Sequence, residues 1–188
     1  MKIPTSVRRL LGLWFIGLVI NTPLPEAAVS HTNLRELVVS SDVIARAIVT
    51  KSQQNEDGSG RAWLQCDLVY KGSVDGKSLQ LTWGSGPEEA PLRNVGERYL
   101  IFLKRYRGDV LEGTHPLASY WPLKTAYRSS REVIPYVFPV TMVDIDTPAL
   151  LQKVMLSIEE LPREKNPVEI ESIPLDLLVQ ELRSILRN

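Results

Sequence analysis

Five apolar residues in a row, Tyr99-Leu100-Ile101-Phe102-Leu103, lie between Gly96-Glu97 on one side and Arg107-Gly108-Asp109 on the other. A short unbroken apolar run between turn residues reads as a central strand, and the rest of the chain has to pair around it. Residues 43–51 (Val-Ile-Ala-Arg-Ala-Ile-Val-Thr-Lys) are rich in β-branched side chains and form a second strand. The polar stretch 52–61, with Asp57-Gly58 and Ser59-Gly60, is a hairpin connection. Residues 62–70 alternate and form a half-buried strand, with Leu64, Cys66, Leu68 and Tyr70 on one side. Lys71-Gly72 and Asp75-Gly76 turn the chain into a strand over 78–83, which Gly84 to Pro87 breaks. Short strands over 110–112 and 133–137 follow, and residues 113–131 show no clear period.

Strands at this spacing with Gly-rich turns predict a mainly β fold, a small OB-like Greek-key barrel over residues 31–140. Val43, Leu68, Leu81 and Phe102 are expected in its interior. Thr32 or Asn33 is placed to cap a short helix carrying Leu34, Leu37 and Val38. Two C-terminal helices are expected over residues 141–188, packed on the barrel. The first follows Thr147-Pro148 and presents Leu150, Leu151, Val154, Ile158 and Leu161; residues 163–173 read as linker. The second opens at Pro174 and lines one face with Leu175, Leu178, Leu182, Ile185 and Leu186.

The first 30 residues have a different character. Lys2, Arg8 and Arg9 precede an apolar run from Leu10 to Ile20, and Ala27-Ala28-Val29-Ser30 follows two prolines. Such a segment reads as a cleavable secretory signal, with cleavage expected after Ser30 and a periplasmic or secreted destination. The apolar run is shorter than the roughly 18–20 residues that cross a bilayer, so no stable span is expected after cleavage. The whole chain balances 22 Lys and Arg against 22 Asp and Glu, which argues against a nucleic-acid partner. Cys66 is the only cysteine. A disulfide framework is excluded, and the core must hold the domain by itself.

Several of these segments resemble a bacterial exported domain related to the tissue-inhibitor-of-metalloproteinase and netrin-like OB-fold family. The residues are Leu37-Val38, Ser41-Asp42-Val43-Ile44, Ala47-x-Val49, Val69-Tyr70-Lys71-Gly72 and the run from Val95 to Leu103. The last helix, after Pro174, is similar too. The likeness covers about residues 34–105 well, the next thirty weakly and 141–173 hardly at all. It implies the barrel more than an activity, because the matching residues cap, turn and fill strands. The inhibitors of that family grip a protease zinc through an N-terminal cysteine, and this chain has none near its expected mature end, so that mechanism does not carry over.

No residue set commits to a reaction. Gly84-Ser85-Gly86 is too short for a nucleophile turn, with Pro87 where a helix would have to begin, and it lacks the lysine of a phosphate loop. His31 and His115 are the only histidines. Were His31 the first mature residue, its amine and ring with His115 would resemble a copper brace; the plainer reading makes His115 a loop residue. No cofactor is expected. The aromatic residues Trp83, Tyr120 and Trp121 are candidates for partner binding if exposed; otherwise they plug the barrel ends or pack under the C-terminal helices. The expectation is a non-enzymatic exported module contacting a protein or envelope component. The alternatives are protease inhibition without the cysteine, and metal binding through His31.

Overall fold

A computed structural model of the chain describes residues 31–84, 92–106, 110–115, 118–137, 139–157 and 166–188. The expected export signal, residues 1–30, lies outside the described residues. Residues His31 to Asn188 form one compact unit.

The unit is mainly β, with a short helix early and a longer helix at its end. Strand β1 (Thr32–Asn33) leads into α1 (Leu34–Ser40), capped by Asn33, whose Oδ1 accepts from the Glu36 N–H at 2.7 Å. Ser41 ends the helix, its hydroxyl donating to Leu37 O, and Asp42 Oδ2 accepts from the Arg105 N–H. These contacts fix the entry into β2 (Val43–Gln54), which pairs antiparallel with β3 (Gly60–Lys71), and β3 with β4 (Ser78–Trp83). Between β3 and β4, Gly72 has φ +74°, and a Cβ there would meet Asp42 O at 2.1 Å.

Strand β5 (Arg98–Arg105) returns beside β2, so the order β5-β2-β3-β4 is a Greek key. β6 (Leu111–Gly113) and β7 (Tyr120–Thr125) both pair with β5. β8 (Glu132–Pro135) pairs with β7. β9 (Val143–Asp144) pairs in parallel with β1. β10 (Gln152–Leu156) and β11 (Val168–Pro174) form an antiparallel pair, with β11 also against β8. Helix α2 (Leu175–Arg187) closes the chain.

Two expectations about the architecture need correction. The sheet does not close into a barrel: its strands run in one open order, β10-β11-β8-β7-β5-β2-β3-β4. A single bridge, Ala126 to Leu156, folds β10 back against the end of β7. Nor do residues 141–188 form a helical extension with two helices. Thr147-Pro148 starts only a 3-10 turn, Pro148–Leu150, and the chain then enters β10; Ile158 and Leu161 of the expected stripe lie outside the described residues. The physical reason is a partner strand: Val168-Glu-Ile-Glu-Ser alternates, faces β10 residue by residue, and sets Glu169 against Lys153 at 3.3 Å. Cross-strand pairing outweighs a weak helical spacing.

Both faces of β2 and β5 are covered. On one face Val43, Ala45, Ala47 and Val49 meet Leu64, Cys66, Leu81, Tyr99, Ile101 and Leu103 inside a curled lobe; the alanines leave room for its tight interior. On the other face Ile44, Leu100, Phe102, Trp121 and Ile134 pack under α1 and α2. Phe102 is therefore buried, but on the face opposite Val43 and Leu81. Leu68 is not in a core at all; it is 47% exposed.

Candidate functional site

Leu68 escapes the core because β3 bulges twice against β2 near its end. Cys66 faces Ala47 and Leu68 faces Arg46, so Asp67 is an extra residue; Val69 faces Ala45 and Lys71 faces Ile44, so Tyr70 is another. Each extra residue is a bulge that resets which face the following side chains occupy. Strict alternation from Leu64 would carry Leu68 inward. The Asp67 bulge turns it outward beside Arg46 instead.

The result is a trough of about 860 Å³. Leu68 and Tyr70 of the bulged strand form one wall, Leu175, Val179 and Arg183 of α2 another, and the β7–β8 turn with Arg131 closes one side. α2 presents this row because Leu175, Val179 and Arg183 recur every four residues.

An ion network supports the trough. Arg46 Nε donates to the two Asp67 carboxylate oxygens at 3.0 and 2.9 Å, and Arg46 Nη1 meets Glu132 Oε2 at 2.5 Å. Glu132 Oε1 faces Arg98 Nη1 at 2.6 Å. This ties β2, β3, β5 and β8 together. Partial burial alone would raise the Asp67 pKa, but the hydrogen bond and charge of Arg46 outweigh it and hold the carboxyl below its ordinary range. Across the trough, Arg131 donates from Nε and Nη2 to Asp176 Oδ1 at 3.2 Å, and from Nη1 to Gln152 Oε1.

Several donors that line the trough, those of Ser130 and Gln180 included, lack a hydrogen-bond acceptor among the described residues, and two of them bear on its charge. One is the half-buried Tyr70 hydroxyl, whose pKa is raised by burial and by the charges of Asp67 and Glu132, against the opposing charges of Arg46 and, least, Arg183. The other is the exposed Arg183 guanidinium, close enough to Tyr70 for its charge to be felt there.

The three expected aromatics do not form one face. Trp121 is fully buried, 5.0 Å from the Phe102 ring, with Nε1 donating to Ala118 O at 2.8 Å, so it offers no surface to a partner. Tyr120, the preceding residue on the same strand, points to the opposite core, and burial pushes its phenol up to about 12. Trp83 is half-buried; its Nε1 donates to Gly58 O, and its ring lies so near Gly60 that a Cβ there would sit 2.3 Å from it. All three serve packing. His31 is exposed, 4.0 Å from Asp144, while His115 Nδ1 accepts from the Ala118 N–H. Among the described residues no group of three or more His, Cys, Asp or Glu is gathered to hold a metal. Cys66 is buried, its thiol pushed up to about 11 by burial and then by the neighbouring Asp67.

The trough itself had no legible sequence signal, since bulges carry no reliable residue signature here. The nearest hint was Asp67, a charge in mid-strand. No protein-family model matches the chain, and no curated protein or solved structure does either. No helix among the described residues is long and apolar enough to cross a membrane.

Proposed function

We propose that this chain is an exported, non-enzymatic binding module whose partner, a protein or other envelope component, seats in the trough between β3, the β7–β8 turn and α2. Export rests on the basic, apolar and small-residue order of residues 1–30. The observation that carries the binding site is Leu68, an apolar side chain held out of the core by a bulge and set beside Tyr70 and Val179. Bulges commonly re-aim a side chain at functional places. The groups best suited to chemistry are otherwise engaged: Glu132 lies between two guanidinium groups, and the Cys66 thiol stays protonated well above neutral pH.

A photo-reactive side chain at position 68, compared with one at the more exposed Val95, tests this in cells that export the protein. Position 68 is expected to yield a discrete crosslinked adduct that position 95 does not. Equal labelling from both positions would remove the trough from consideration.

A further inference from the structure

Taking the trough as the binding site, we infer that its occupant is a polypeptide segment in which an acidic side chain neighbours an apolar one, the carboxylate going to Arg183 and the Tyr70 hydroxyl. Charge decides the class. Arg131, at one side of the trough, is already matched by Asp176, and Arg46 by Asp67 and Glu132. Arg183 has no acidic side chain against it among the described residues, and neither has Arg187 one turn further along α2. A second groove, of about 370 Å³, continues from Gln180 and Arg183 to Arg187, so positive charge extends past one end of the trough.

The Tyr70 hydroxyl adds a neutral donor beside that charge. Its oxygen is not buried, so it is free to donate to an occupant in place of water. A carboxylate accepts from a guanidinium and a hydroxyl together, which an amide oxygen does only weakly. The apolar half of the occupant is set by Leu68, Leu175 and Val179. The trough is open rather than enclosed, which suits a chain lying along it, its acidic residue supplied by a side chain. A polyanion such as a nucleic acid is disfavoured, since the same surface carries Asp67, Glu132 and Asp176 close by.

Random peptides displayed on phage, selected on the purified full chain, provide the probe, and enriched sequences are then synthesised and titrated by fluorescence anisotropy. Enriched peptides are expected to carry Asp or Glu within a few residues of Leu, Val or Phe. Arg183→Glu should weaken them by about tenfold or more, with Tyr70→Phe weakening them less. A peptide with its acid changed to Lys should bind Arg183→Glu better than it binds the unaltered chain. Leu68→Asp separates this inference from the reading beneath it. If Leu68→Asp abolishes binding while Arg183→Glu and Tyr70→Phe leave it unchanged, the trough stands and the acidic occupant is overturned. If no peptide is enriched, or neither Leu68→Asp nor Arg183→Glu matters, both fall. Circular dichroism of each variant confirms that the comparison is made between folded chains.

Discussion

The two faces of the central sheet are built from different parts of the chain. The lobe around Leu64, Leu81 and Ile101 is assembled from β2 to β6, strands consecutive in the chain. The face around Trp121 and Phe102 draws on α1 near the start, on Ile134, Val143 and Ile173, and on α2 at the end. The first core is thus made of neighbours, the second of segments more than a hundred residues apart. Loop-closure entropy makes such distant contacts slower to form, so the helix-covered core should be the later of the two to order. Strands β2 and β5 are common to both, which couples them. The trough sits where the two assemblies meet, between bulged β3 of the lobe and α2 of the helix-covered face.

The strongest test of that coupling is Trp121→Ala, which empties the largest fully buried side chain from the helix-covered core and is expected to cost about 3–5 kcal/mol. Denaturant unfolding followed by near-ultraviolet and far-ultraviolet circular dichroism should still give one coincident transition, because β2 and β5 belong to both cores. Two separated transitions would show that the lobe holds together alone.

A smaller effect is expected from Arg46→Met, which removes the link between β3 and β8. Losing one partner of a buried pair costs roughly 3–5 kcal/mol in general, and here about 2–3 kcal/mol, since Arg98 still faces Glu132 and Asp67 is about half exposed. Adding Asp67→Asn should recover part of the loss, as the carboxylate that Arg46→Met leaves without its cation is then neutral. No recovery would mean that Arg46 acts through its packing instead.

The smallest effect belongs to the lobe alone. The Cys66 thiol has an ordinary value of 9.0 and is raised to about 11 in the folded chain. The folded state therefore holds its proton more tightly than the unfolded one. The resulting stability is complete below pH 9 and is lost as pH rises from 9 through 11, by on the order of 1–2 kcal/mol. Buried tyrosines Tyr99 and Tyr120 are raised as well and add to the alkaline loss. Unfolding midpoints of Cys66→Ala and the unaltered chain, measured from pH 8 to 11, should show a shallower decline for the variant. Parallel declines would assign the whole effect to the tyrosines.

Much of the lobe was legible in the residues. The β4 bounds, the central place of β5 and a short helix capped by Thr32 or Asn33 follow from local pattern, and so does α2 after Pro174. An apolar run such as Tyr99 to Leu103 tolerates little besides a strand covered on both sides. What the residues could not settle was which strand meets which. Val168 to Ser172 alternates plainly, yet reads as linker until β10 lies beside it, and β10 itself resembles a helix until β11 is present.

The trough was beyond reach for the same reason. The order of side chains along 62–71 determines that a strand forms there and that it alternates. Whether Leu68 points inward or outward depends on how many residues of β3 span a given length of β2, a count that exists only once the two strands are paired. Likewise Trp121 and Tyr120 are equally plausible surface anchors as letters in a row. Their burial is decided by α1, α2 and the curled lobe, which close over the two faces of one strand. Local preference is carried by each residue and its near neighbours, whereas register, closure and exposure are properties of contacts between distant segments, and only the folded chain brings those together.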